Sequence, residues 1–266
     1  MNIEDKKMYL DKWFSYLQAQ ICKQFEVIEK ESKGKQKFVS TNWQKDIKGG
    51  GGIYKILKNG KIFEKVGVNK STVSGIFSKK FRKNIPGAQT NGKYWASGIS
   101  VVAHMRNPRI PAIHFNTRFI VTTKSWFGGG IDLTPCIKDV KEELYFHSEL
   151  KKVCKKNGKD YQKYKKWCDR YFFLPHRNEP KGIGGIFFDY ENNNWEKDFK
   201  FVREVGMSFI EITKSIIKKK VKLKFNDKDK KKQLFKRGRY IEFNLLYDRG
   251  TKFGLNSGGN TEAILM

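Results

Sequence analysis

GISVVAHMRNPRIPAIHFNTRFIV, residues 98–121, is the stretch on which the reading of this chain turns. From Ile113 onward it alternates: Ile113, Phe115, Thr117, Phe119 and Val121 in one set, His114, Asn116 and Arg118 in the other. A β-strand sends successive side chains to opposite faces, so one face packs a core and the other presents an imidazole, an amide and a guanidinium in a row. That trio can move a proton, hold a polar edge and pair with a carboxylate. GISVVAH alternates in the same way, with Ser100, Val102 and His104 on one face. MRNPRIP between the two runs carries two prolines and reads as a short connection. Two antiparallel strands follow, bringing Ser100 and His104 to the face of His114, Asn116 and Arg118. The alternative is a pair of core histidines satisfied by backbone partners.

Working outward, the three glycines ahead of Asp132 in KSWFGGGIDLTP (124–135) suggest backbone packed closely against something, with Thr134 and Pro135 starting the next helix. KGGGGIYKILKNGKIFEKVGV (48–68) holds Asn59-Gly60 between two apolar runs, a hairpin signal. Its four glycines precede a strand and lack a following Lys-Ser/Thr, which argues against a phosphate loop. Helices are expected at 6–30, with Leu10, Trp13, Phe14, Leu17, Ile21, Phe25 and Ile28 on one stripe, and at 138–156, 160–173 and 198–217. In the second of these His147 shares a face with Val140, Leu144 and Leu150 and is read as a buried structural residue. Residues 31–48 read as loop. FLPHRNEPKGIGG (173–185) is a loop dense in hydrogen-bonding groups, among them His176, and IFFD is a short buried strand. RYIEFNLLYDRG (239–250) alternates again and is expected as a strand. The fold class is α+β: one domain over 1–266, a central antiparallel sheet with helices on both sides. Residues 1–48 form an N-terminal helix and loop, and 240–266 a last strand and tail.

The formal net charge is +28, but only 10 of the 55 basic residues are Arg, and no nucleic-acid motif accompanies them. A lysine-rich surface of this kind reads as a solvated one that attracts small polyanions, with no nucleic-acid partner. No apolar run approaches the about 18 residues of a membrane span, and the first residues are neither signal nor transit peptide. Four cysteines without metal-ligand spacing point to free thiols in a cytoplasmic setting.

The blocks KIFEKVGVN, GISVVAHMRNPRIPAIHFNTR, WFGGGIDLTP, FHSELKKVCKKNG with KKWCDRYFFLPHRNEPKGIGGIFFD, and GRYIEFNLLYDRGTKFGLNSGGNTEAILM, in this order, resemble the oxygen-dependent coproporphyrinogen III oxidase family. The resemblance runs from about Gly49 to Met266. It implies an enzyme of haem biosynthesis that converts two propionates of coproporphyrinogen III to vinyls, giving protoporphyrinogen IX, CO2 and H2O2. Oxygen is the co-substrate, and no flavin, haem or nicotinamide is needed. It implies His114 as proton donor, and Asp132 and Arg118 as residues engaging the tetrapyrrole. Ser100, Asn116, Thr117, Arg118, Gly258, Gly259 and Asn260 become substrate-binding. Asp132 is expected to face the pyrrole N–H groups. A homodimer follows, held by the last strand and tail. His104, His114, His147 and His176 match four histidines sometimes assigned to a divalent metal, although their spacing is not diagnostic of one. The chain departs from the family in Asn260, where an arginine is usual, in His104-Met105 where His-Pro is usual, in Cys136, and in a shorter C-terminus. An impaired tetrapyrrole-binding homologue is the alternative these departures raise.

Overall fold

Seven strands form one antiparallel sheet in the order β1-β2-β3-β4-β5-β6-β9: Val39–Gln44, Gly50–Lys58, Phe63–Ile76, Lys93–Met105, Ala112–Val121, Ser125–Thr134 and, after a two-strand ribbon of β7 (Phe173–Leu174) with β8 (Glu179–Pro180), Gly184–Glu191. This computed structural model describes residues 1–45, 49–256 and 260–265. The hairpin expected from MRNPRIP forms, with Ser100 opposite Asn116 and Val102 opposite His114. Asn59, in the left-handed region at φ 59°, turns the β2–β3 hairpin.

Helices cover both faces. On one side lie α1 (Ile3–Glu31), α3 (Val140–Lys156) and α5 (Trp195–Lys220), their apolar stripes meeting the buried residues of β3–β6. The α1 stripe Leu10, Phe14, Leu17, Ile21 and Phe25 is fully buried, as its three- and four-residue spacing requires. Phe25 stacks on Phe63 at 4.7 Å and Phe115 on Phe209 at 4.9 Å. α4 (Tyr161–Tyr171) runs along β9, while α6 (Asp227–Leu246), α7 (Arg249–Asn256) and α8 (Thr261–Ile264) belong to the other side. The short α2 (Lys79–Arg82) precedes β4.

Four expectations are corrected. Residues 239–246 are helix, not strand: Gln233, Tyr240 and Phe243 are buried at helical spacing, and Asn226 with Asp229 forms a capping box. The loop 31–48 contains β1, an edge strand exposed along most of its length and so without an apolar face to announce it. Thr134 ends β6, and Asp139 is the N-cap of α3. The buried face of α3 is Phe146, Leu150 and Cys154; Val140 and Leu144 are exposed.

Glu29, fully buried at the end of α1, accepts hydrogen bonds from the backbone N–H groups of Lys61 (2.8 Å), Ile62 (2.9 Å) and Phe63 (2.7 Å). Glu29→Ala strands these donors, so it is expected to destabilise the fold by about 3–5 kcal/mol. A urea midpoint unchanged from wild type would contradict this.

Candidate active site

Strand register assembles the site in rows. Asn69, Ser100, Asn116, Gly130 and Phe187 lie side by side across β3, β4, β5, β6 and β9. The next row is Val102, His114, Asp132 and Gly185. On the other side Gly98, Arg118 and Gly128 align. All of these face away from the α1/α5 core. Glycine at 98, 128 and 130 keeps the middle of the face low. A Cβ on Gly128 would stand 2.4 Å from Asp189 Oδ1, and one on Gly130 would stand 2.8 Å from Ile186 O. The three glycines thereby gain a structural reason: Arg118, Asp189 and backbone of the neighbouring strands stand where their Cβ atoms would, in a polar bed whose donors and acceptors come from the side chains around them.

The polar groups form one chain of donors and acceptors. Lys181 Nζ donates to Asp132 Oδ2 at 2.8 Å, and both side chains are 1% exposed. His114 Nδ1 lies 2.7 Å from Asp132 Oδ1, and Asn116 Nδ2 lies 3.2 Å from His114 Nε2. Arg118 donates through Nη1 to Asn116 Oδ1 (3.3 Å) and through Nη2 to Asp189 Oδ2 (2.8 Å). Trp126 Nε1 donates to Asp189 Oδ1 at 3.1 Å. Burial would raise the Asp132 carboxyl, but the Lys181 ammonium and the His114 hydrogen bond outweigh it and hold Asp132 below its ordinary value. An ionised Asp132 only accepts, so His114 donates from Nδ1 and keeps Nε2 as an acceptor. The Asn116 amide, oriented by Arg118, donates to that nitrogen. Phe172 closes edge-on against His114 at 5.9 Å. Arg118 and the exposed Arg249 both lie over the Phe187 ring, 6.0 and 5.9 Å from its centroid.

The structure thus brings together Ser100, His114, Asn116, Arg118 and Asp132. Two expectations about them are corrected. Asp132 does not open onto the bed: it is buried, with Oδ1 on His114 and Oδ2 on Lys181. Thr117 is fully buried on the opposite face, as strand alternation dictates, and its side chain belongs to the core. Asn260 is the N-cap of α8, accepting from Ala263 N at 2.9 Å, and Ala263 O accepts from Asn69 Nδ2 at 3.2 Å. This ties the C-terminal segment to the Ser100 end of the bed. Gly258 and Gly259 lie outside the described residues. Lys181, Asp189 and Arg249 were missed; only the polar density of the 173–185 loop pointed toward the first.

The four histidines do not assemble as metal ligands. His147 is engaged at Nε2 by Ile183 O (3.1 Å) and at Nδ1 by Tyr161 Oη (2.9 Å). His176 lies between Glu242 and Tyr247, at 2.9 Å from each. His114 Nδ1 is held by Asp132, and His104 Nδ1 is buried without a partner. No group of three or more His, Cys, Asp or Glu converges among the described residues. Burial, reinforced by Arg237, lowers His104 to about 4, and burial lowers His147 as well. The unfolded chain, with histidines near 6.5, binds these protons first. Stability is therefore expected to fall as pH drops from about 6.5 toward 4, by up to about 3 kcal/mol from His104. Urea midpoints at pH 7 and 5 check this: His104→Gln flattens the difference, and an unflattened profile would contradict it.

A model of the coproporphyrinogen III oxidase family matches residues 9–266. The chain is 53% identical over 273 residues to the oxygen-dependent coproporphyrinogen-III oxidase of Rickettsia rickettsii (strain Sheila Smith), an alignment covering 100% of this chain and 97% of that one. The Rickettsia africae (strain ESF-5) enzyme of the same description is 52% identical over the same shares. That of Rickettsia bellii (strain RML369-C) is 53% identical over 261 residues, 96% of this chain and 93% of its own.

Proposed function

The chain belongs to the coproporphyrinogen III oxidase family, and from that premise we propose how its sheet face performs the family's reaction. The activity is the oxygen-dependent oxidative decarboxylation of two propionates of coproporphyrinogen III to vinyls in haem biosynthesis, yielding protoporphyrinogen IX, CO2 and H2O2. The observation that carries the residue assignment is His114: its Nδ1 is locked on a buried carboxylate while its Nε2 meets the glycine-floored bed beside Arg118.

A flat tetrapyrrole lies over Gly98, Gly128 and Gly130, with Ser100 and Asn116 at its polar edge. One propionate pairs with Arg118, whose planar fork suits a carboxylate. His114 takes up and returns the pyrrole N–H proton, so that the electron-rich ring reacts directly with oxygen. The resulting peroxide removes a hydrogen from the propionate β-carbon. The carboxylate leaves as CO2 and its electron pair becomes the vinyl bond. For each side chain, –CH2CH2COO− with O2 and one proton gives –CH=CH2, CO2 and H2O2, and the proton enters through His114. No step passes through the histidine set as a metal site. Oxygen electrode and peroxide assays run together test this: one O2 consumed and one H2O2 formed per CO2 support it, and water as the reduced product would contradict it.

The partner is a second copy of the chain, in the cytoplasm, where the four unpaired cysteines suit a reducing medium. No described helix is long and apolar enough to cross a membrane. The outward face of α6 supports the dimer: Leu234, Ile241 and Leu245 follow one stripe and are each more than half exposed, with Phe235 beside them. Ile241→Glu with Leu245→Glu is expected to convert dimer to monomer in sedimentation equilibrium; an unchanged mass would place the interface elsewhere.

A further inference from the structure

Lys181 is a cation sealed inside the protein. It is 2% exposed, and its Nζ stands 4.1, 4.3 and 5.3 Å from the ring centroids of Phe172, Tyr240 and Phe243. Its backbone N–H donates to Phe172 O at 2.9 Å, which fixes the stem. The rings come from the end of α4 and from α6, so elements far apart in sequence build the chamber. A buried ammonium is costly unless paired, and here its anionic partner is Asp132 at 2.8 Å. The opposite oxygen of that carboxylate receives His114. Packing alone does not require a lysine at this place, since an apolar chain would fill a chamber of aromatic rings without a desolvation cost.

We infer that Lys181 is a positioning residue for the reaction: its buried ammonium pins Asp132 Oδ2, aims Oδ1 at His114 Nδ1, and so fixes the tautomer that presents Nε2 to the tetrapyrrole bed. This rests on the assignment of His114 as the group that exchanges protons with substrate. Lys181 touches no substrate itself. The ordering runs Lys181 to Asp132 to His114, with the Arg118-oriented Asn116 amide supporting the same tautomer from the other nitrogen. Without the ammonium, the carboxylate loses one of its two anchors and the imidazole its fixed direction. Binding of the macrocycle over the glycines is untouched.

The test combines histidine 15N NMR of the substrate-free protein with kinetics of three variants. With only four histidines in the chain, the ring nitrogen signals are few enough to assign. Wild-type His114 is expected as the Nδ1–H tautomer, and an Nε2–H tautomer would overturn the inference without any variant having to fold. Lys181→Met is expected to lower kcat about 100-fold, as a small misplacement of a reacting group does, with KM little changed. Lys181→Arg restores most of that loss. Lys181→Met in an Asp132→Asn background adds little, because both act through one carboxylate. Unchanged kcat and tautomer in folded Lys181→Met, or a full additional loss in the double variant, would overturn it. Turnover failing in wild type while the tautomer is as expected would count against the proposed function and leave the positioning intact.

Discussion

Asp132→Asn is expected to reduce kcat by about 10³–10⁴-fold while tetrapyrrole binding is kept, the size of effect seen where an amide replaces the carboxylate that orients a working histidine. The geometry gives the reason. Asp132 Oδ1 receives His114 Nδ1 at 2.7 Å and Oδ2 receives Lys181 Nζ at 2.8 Å. An amide can satisfy only one of the two donors; the other faces an N–H2 group. If the amide turns its oxygen to Lys181, the imidazole must accept at Nδ1 and carry its proton on Nε2, the wrong nitrogen for uptake. Because Asp132 is buried and does not border the bed, the bound macrocycle loses no contact. Steady-state kinetics with anaerobic binding checks this split. Near-normal kcat would contradict it, and so would lost binding with kcat preserved.

Arg118→Lys is expected to act differently, lowering kcat/KM by about 10²–10³-fold with a rise in KM. Truncating a hydrogen-bonded charge at a recognition site costs about 2–5 kcal/mol. The guanidinium does three things at once: it orients Asn116 through Nη1, compensates Asp189 through Nη2, and leaves further N–H groups for a propionate. A lysine ammonium has the charge without the planar fork, so it cannot hold Asp189 and a bidentate carboxylate together. Asp189, almost buried and left with Trp126 as its side-chain partner, also lowers the thermal midpoint. Wild-type KM in a folded Arg118→Lys protein would separate Arg118 from the carboxylate.

Much of the site was legible because it lies on strands with one buried face. Where Phe115 and Val101 must go inward, His114, Asn116, Arg118 and Ser100 must go outward, and a one-residue slip would reverse both. The same rule excludes the Thr117 side chain from the bed, which a motif carried over whole did not respect. Lys181 was illegible because its burial is decided by Phe172, Tyr240 and Phe243, which no local pattern connects to it. Asp189 could be read as the end of a buried strand but not as the partner of a residue 71 positions away. The 239–247 segment misled because Ile241, Phe243, Leu245 and Tyr247 satisfy period two. The Asn226–Asp229 capping box and the helical spacing of Gln233, Tyr240 and Phe243 were present as contrary signals. Its exposed apolar stripe then produced the alternation: half of those residues face out, where the second copy of the chain is proposed to sit.

The most direct measurement is to mix the purified protein with coproporphyrinogen III without oxygen, admit oxygen, and separate the products by chromatography over time. A mono-vinyl intermediate followed by protoporphyrinogen IX, formed by wild type and almost abolished in Asp132→Asn, is the expected result. Tight binding with no vinyl product from the wild-type chain would contradict it and mark the bed as a tetrapyrrole-binding surface without turnover.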